Sequence, residues 1–140
     1  MRTMELASGP AMAACPSAVP AVSHPVLLVD DDCEIRAVLA VALAESGHGV
    51  VEAADGLEAV RLLEAGLEPS LVVLDLMMPR LDGWGVLERL RARGPDQRPP
   101  VLVASSVADL APTGADECLT KPFALDAFER AVARLTATAH

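Results

Sequence analysis

Two apolar runs, Val26-Leu27-Leu28-Val29 and Leu71-Val72-Val73-Leu74, each stop at a carboxylate. The first ends in Asp30-Asp31-Asp32 and the second in Asp75. Runs of this length with no polar residue alternating through them suit strands covered on both faces, as parallel strands are. Parallel strands need crossover connections, which are usually helices. The runs therefore call for an α/β chain. They also place acids at strand ends, where open α/β sheets hold their ligands.

The intervening sequence supplies the rest of that pattern. Strands are predicted over 26–30, 50–53, 71–74, 101–104 and, briefly, at Cys118-Leu119. Ile35, Val38, Leu39, Ala42 and Leu43 share one helical face after the first strand. Ser46-Gly47-His48-Gly49 stops that helix. A second helix starts near Asp55-Gly56, with Leu57, Val60, Leu62 and Leu63 apolar, and Gly66 ends it. A third follows the loop 76–83 with Trp84, Leu87 and Leu90 inward. A last one runs over 125–135 with Leu125, Phe128, Val132 and Leu135 inward. Alternating strands and helices with short connections give a doubly wound, flavodoxin-like, five-stranded parallel sheet of order 2-1-3-4-5. In that order the first and third strands are neighbours, so Asp30-Asp31 and Asp75 meet at one edge. Only 15 residues separate Ser105 from Lys121, and Pro112 and Gly114 fall among them. The fourth helix, between strands four and five, is therefore expected to be truncated or missing.

A chain of 140 residues is one domain, and 52% hydrophobic residues make a real core. Residues 1–25 are rich in Ala, Pro and Ser and read as a disordered tail ahead of a domain spanning 26–140. A net charge of −9 argues against binding nucleic acid or a membrane surface. Cys15, Cys33 and Cys118 show no metal-ligand spacing; free thiols in a reducing cytosol are the expectation, and with them a cytoplasmic location.

The acids carry the chemistry. Crowded carboxylates repel, and without a cation one of them holds its proton toward neutral pH. A hard divalent ion relieves this, and Mg²⁺ fits because it takes few protein oxygens and keeps waters for a phosphate. Asp75, on the central strand, is placed as a nucleophile toward phosphorus. Lys121 is the chain's one lysine, in Leu119-Thr120-Lys121-Pro122-Phe123, and offers a point charge for phosphoryl oxygens. Ser105, just past strand four, offers a hydroxyl. The plainer reading, that Asp30-Asp31-Asp32 is only a helix N-terminus, suits Asp32 as an N-cap.

The strings VLLVDDDCEIR, LVVLDLMMPRLDGWGVLERLR, PPVLVASS and GADECLTKPF, in this order over 26–140, resemble a response-regulator receiver domain of the single-domain, chemotaxis-regulator-like kind. The resemblance implies that Asp75 accepts a phosphoryl group from the phosphohistidine of a sensor histidine kinase or phosphotransfer protein. It implies that Asp30, Asp31, Asp75 and the Met77 carbonyl bind Mg²⁺. Ser105 falls on the family's Ser/Thr switch position and Lys121 on its invariant lysine. It further implies a downstream protein target, no DNA-binding output domain, and self-catalysed chemistry rather than enzymatic turnover. One departure is Cys118, which stands where the family has a switch aromatic. A second is the short interval after strand four, which is expected to uncover a patch near Val107, Leu110 and Cys118 where a partner or a second copy docks. Two other classes compete: a degenerate receiver acting as an interaction scaffold, and a phosphohydrolase of the haloacid-dehalogenase type. The latter usually has a second Asp two residues past the nucleophile; here that residue is Met77.

Overall fold

The computed structural model describes residues 24–78, 82–106 and 115–137. The tail up to residue 23, and the interval 107–114 with the expected helix truncation, Val107 and Leu110, lie outside the described residues. The elements are β1 (Val26–Val29), α1 (Cys33–Glu45), β2 (Val50–Ala53), α2 (Gly56–Glu64), β3 (Leu71–Leu74), α3 (Gly83–Arg91), β4 (Val101–Ser105), β5 (Glu117–Thr120) and α4 (Leu125–Ala137), with a 3-10 turn at Pro95–Gln97. All strands pair in parallel, in the order β2-β1-β3-β4-β5. This is the doubly wound sheet that the apolar runs demand.

Both central runs are buried along their whole length. Alternation along each strand divides their side chains between two cores. Leu27, Val29, Val72, Leu74, Val101 and Val103 pack against Ala59, Val60 and Leu63 of α2 and Val86, Leu87 and Leu90 of α3. Val26, Leu28, Leu71, Val73, Leu102 and Ala104 pack against Leu39 and Leu43 of α1 and Phe128, Ala131, Val132 and Leu135 of α4. Phe128 is fully buried and stacks on Phe123, centroids 6.0 Å apart.

Caps set the helix boundaries. Asp32 caps α1, its carboxylate accepting from the Glu34 and Ile35 N–H groups. Asp55 caps α2 through the Glu58 N–H, and the Glu58 carboxylate accepts from Ala54 N–H in return. Gly47, at φ +92, lets the chain turn out of α1, and Gly66, at φ +109, does so after α2. Arg134 of α4 grips Glu117 of β5 through two hydrogen bonds, of 3.0 and 2.6 Å, and ties the last strand to the last helix.

Three side chains expected inward are not. Val38 is 55% exposed, Trp84 43% and Leu125 43%. Each sits near a helix face's margin, where spacing alone does not say how wide the covered stripe is. Met77 is 59% exposed, while its neighbour Met78 packs on the α2–α3 core.

Candidate metal and phosphoryl site

The sheet order brings four chain segments to one edge. Val29 pairs with Leu74, so Asp30 and Asp75 follow side by side, and Asp75 N–H donates to the Val29 carbonyl. Leu74 pairs with Val103, two residues short of Ser105. Ser105 pairs with Thr120, and Lys121 N–H donates to the Ser105 carbonyl. Four residues read from separate motifs thus lie at the C-terminal ends of four adjacent strands.

Asp30, Asp75 and Ser105 are buried, while Asp31 is exposed. Carboxylate oxygens of Asp30, Asp31 and Asp75 all fall within 4.8 Å of one another. Lys121 Nζ lies 2.7 Å from Asp30 Oδ2 and 3.6 Å from Asp75 Oδ2. Asp30 Oδ1 accepts from Asp32 N–H at 2.9 Å, and Asp75 Oδ1 accepts from Met77 N–H at 3.2 Å. That contact sets the Met77 peptide against the cluster. The Lys121–Pro122 bond is cis.

Burial pushes the Asp75 carboxyl above its usual range; the Met77 N–H and the Lys121 charge pull it down, and the Asp30 charge adds to the rise. Ser105 also hydrogen-bonds the Asp75 carboxyl. Burial draws Lys121 down, but the hydrogen bond and charge of Asp30, together with Asp75, outweigh it and raise Lys121. Three carboxylates face one ammonium, so the cluster has surplus negative charge even with Lys121 in place. Its donors are all hard oxygens, the set that Mg²⁺ takes. The residues present therefore fit a magnesium ion, with Asp30, Asp31 and Asp75 as its holders.

Helix α3 backs onto this cluster. Gly83 N–H donates to the Leu76 carbonyl at 3.0 Å. A Cβ at Gly83 would stand 2.3 Å from the Asp75 carbonyl oxygen and 2.6 Å from Leu76 Cα. Only glycine allows that approach.

Residues 26–133 match the sequence model of the response regulator receiver domain. The chain belongs to the response regulator receiver family. The receiver is 40% identical over 120 residues to a probable transcriptional regulator, ycf27, of Guillardia theta, covering 79% of this chain and 46% of the relative. It is 45% identical over 108 residues to the response regulator MprA of Mycobacterium sp. (strain KMS), covering 72% of this chain and 45% of that protein. The chain thus spans just under half the length of these curated relatives. Among solved structures, the receiver resembles response regulator TrrA of Thermotoga maritima, solved in complex with Mg²⁺-BeF, at TM-score 0.72 and 30% identity, covering 81% of this chain and 99% of that one. It resembles the receiver domain of Francisella response regulator 1452 at TM-score 0.74 and 31% identity, covering 84% and 100%.

Every residue singled out from sequence for this site lies at the one edge. Cys118, on the switch-aromatic position, is exposed on β5, and burial followed by the Glu117 charge pushes its thiol up. Among the described residues no helix is long and apolar enough to cross a membrane. Sequence reasoning missed the close approach of Gly83 and a role for Arg36. Arg36 donates to the Asp30 carbonyl at 2.6 Å and to Glu52 at 2.9 Å. No spacing in the sequence signals either contact: the Asp30 carbonyl lies six residues back, and Glu52 comes from β2.

Proposed function

We propose that this receiver is a Mg²⁺-dependent phosphoacceptor, and that Asp75 takes a phosphoryl group from phosphohistidine on a sensor histidine kinase or phosphotransfer protein. The observation that carries the reading is the placement of the Lys121 ammonium across Asp30 and Asp75. An Asp75 oxygen forms a bond to phosphorus as the phosphorus–nitrogen bond breaks, and the imidazole leaves and takes up a proton. Asp30, Asp31, Asp75 and the Met77 carbonyl would hold the ion, which would supply positive charge for the phosphoryl oxygens. Lys121 gives up part of its pairing with the acids to meet a phosphoryl oxygen, and the Ser105 hydroxyl bonds another. Water later cleaves the acyl phosphate, so the domain acts on itself and does not turn over an external substrate.

The state of this site is read by a downstream protein, not by nucleic acid or membrane, in keeping with the charge of −9. We place this chemistry in the cytoplasm. Self-association through the β4–β5 face belongs to the same proposal. The phosphohydrolase reading loses ground at Met77, whose thioether transfers no proton. The scaffold reading has Cys118 in its favour, since a thiol cannot swing between buried and exposed positions as a ring does. Incubation with acetyl phosphate and Mg²⁺ separates these: a phosphoacceptor accumulates the mass of one phosphoryl group, a scaffold gains none and frees no phosphate, and a phosphohydrolase frees phosphate without accumulating the label.

A further inference from the structure

We infer that Arg36, held in place by Glu52, is a positioning residue that sets the Asp30–Asp31 turn in the geometry a metal ion requires; this rests on the magnesium reading above. Strand β1 ends at Val29, and the ladder ends with it. The Asp30 N–H still reaches the Ala53 carbonyl at 3.2 Å. Its carbonyl is taken instead by Arg36 Nη1 at 2.6 Å. The Arg36 backbone N–H donates to the Asp32 carbonyl at 2.9 Å. The Arg36 side chain therefore doubles back over the turn that its own backbone closes. Glu52 Oε1 accepts from Arg36 Nε at 2.9 Å and anchors the stem side of the guanidinium to β2.

The consequence falls on Asp31. Asp30 is fixed twice more through its carboxylate, by Asp32 N–H and by Lys121. The Asp31 carboxylate is exposed, and among the described residues no side chain holds it. Where its oxygens stand relative to Asp30 and Asp75 is then a matter of backbone. Magnesium tolerates little departure from octahedral geometry at short range. Slack in this turn accordingly weakens metal binding before it touches the reacting carboxylate on β3. The fork shape is needed: a guanidinium spans two acceptors in fixed geometry, and an ammonium does not.

Three variants, Arg36→Met, Arg36→Lys and Glu52→Gln, test this in the full chain. Mg²⁺ is titrated by Trp84 fluorescence and by calorimetry, and thermal stability is recorded alongside. Phosphorylation by acetyl phosphate is timed as Mg²⁺ is raised to saturation. Exchange of the Asp32 amide is followed in metal-free protein. Arg36→Met should weaken Mg²⁺ binding by about tenfold, the scale of lost supporting contacts around a metal. Its rate at saturating Mg²⁺ should stay within about twofold of the parent, a loss in binding and not in the chemical step. Its Asp32 amide should exchange faster. Arg36→Lys and Glu52→Gln should fall between it and the parent. A role in stability alone would lower the melting temperature and leave Mg²⁺ affinity unchanged, which overturns the inference. A rate that stays depressed at saturating Mg²⁺ overturns it too. If Arg36→Met does not fold, unchanged affinity in both milder variants decides against it. A parent protein that binds no Mg²⁺ defeats the magnesium reading itself, a result distinct from a parent that binds while all three variants match it.

Discussion

Gly83 sits against the Asp75 backbone with no room for a side chain: a Cβ there would stand 2.3 Å from the Asp75 carbonyl oxygen. The start of α3 is therefore fitted to the loop that carries the nucleophile. The atoms nearest that position, Asp75 O, Leu76 Cα and Asp75 C, are all backbone, so nothing flexible can give way. Gly83→Ala should destabilise the fold by about 1–3 kcal/mol, as overpacking does. It should also slow phosphorylation, because the Asp75 loop must move to admit the methyl. Chemical denaturation and acetyl phosphate labelling check the two effects; a variant as stable and as active as the parent would contradict the placement.

Asp75 also makes a pH prediction. Its carboxyl is held above the usual range, chiefly by burial. In the metal-free fold the charged form is disfavoured relative to the unfolded chain. The penalty is absent below the ordinary aspartate pKa, grows as pH rises from there to the raised one, and is fully present above it. Asp75→Asn removes it, so the variant should be more stable than the parent at neutral pH. That advantage should vanish as pH falls below the ordinary range. Melting curves in chelator across pH 3–8 read this, and an advantage that grows toward acid has the wrong sign.

Lys121 bridges Asp30 and Asp75, two of the carboxylates proposed to hold the ion. Lys121→Met leaves both acids without that partner, and metal-free stability should fall by about 1–3 kcal/mol. The same change removes a competitor for Asp30 Oδ2, so Mg²⁺ should bind several-fold more tightly. Stability in chelator and a Mg²⁺ titration give the two opposite signs; weaker Mg²⁺ binding would mean that Lys121 supports the metal geometry instead of competing with it.

The fold was legible because its signals were strong and local. Uninterrupted runs such as Leu71–Leu74 have no reading other than burial on both faces, and Asp32, Asp55, Gly47 and Gly66 punctuate helices by chemistry that needs no tertiary partner. Asp30, Asp75, Ser105 and Lys121 were legible together because sheet order alone brings strand ends to one edge. What was not legible depends on neighbours. Val38, Trp84 and Leu125 are apolar at helical spacing, yet whether a residue at a stripe's margin is covered depends on what packs beside it. The Arg36–Glu52 pair joins a helix to β2 across a register that no single segment encodes. Gly83 looked like a loop glycine, and only the approach of α3 to Asp75 gives it a reason.

Met77, two residues past Asp75, presents an exposed thioether at the mouth of the site. Hydrolysis of the acyl phosphate needs a water held in line with phosphorus, and a thioether orients water poorly. The phosphorylated receiver should be long-lived, and Met77→Asn should shorten its lifetime several-fold. Decay of the labelled protein, followed by mass, is the readout; a lifetime unchanged or lengthened in the variant removes Met77 from the control of hydrolysis.

Asp75 as the acceptor is the central proposal. The decisive measurement is intact mass of the parent and of Asp75→Asn after incubation with acetyl phosphate at saturating Mg²⁺. The parent should gain one phosphoryl group, and the folded variant should gain none. A label that persists in Asp75→Asn, or a parent that takes up none, would contradict the central claim.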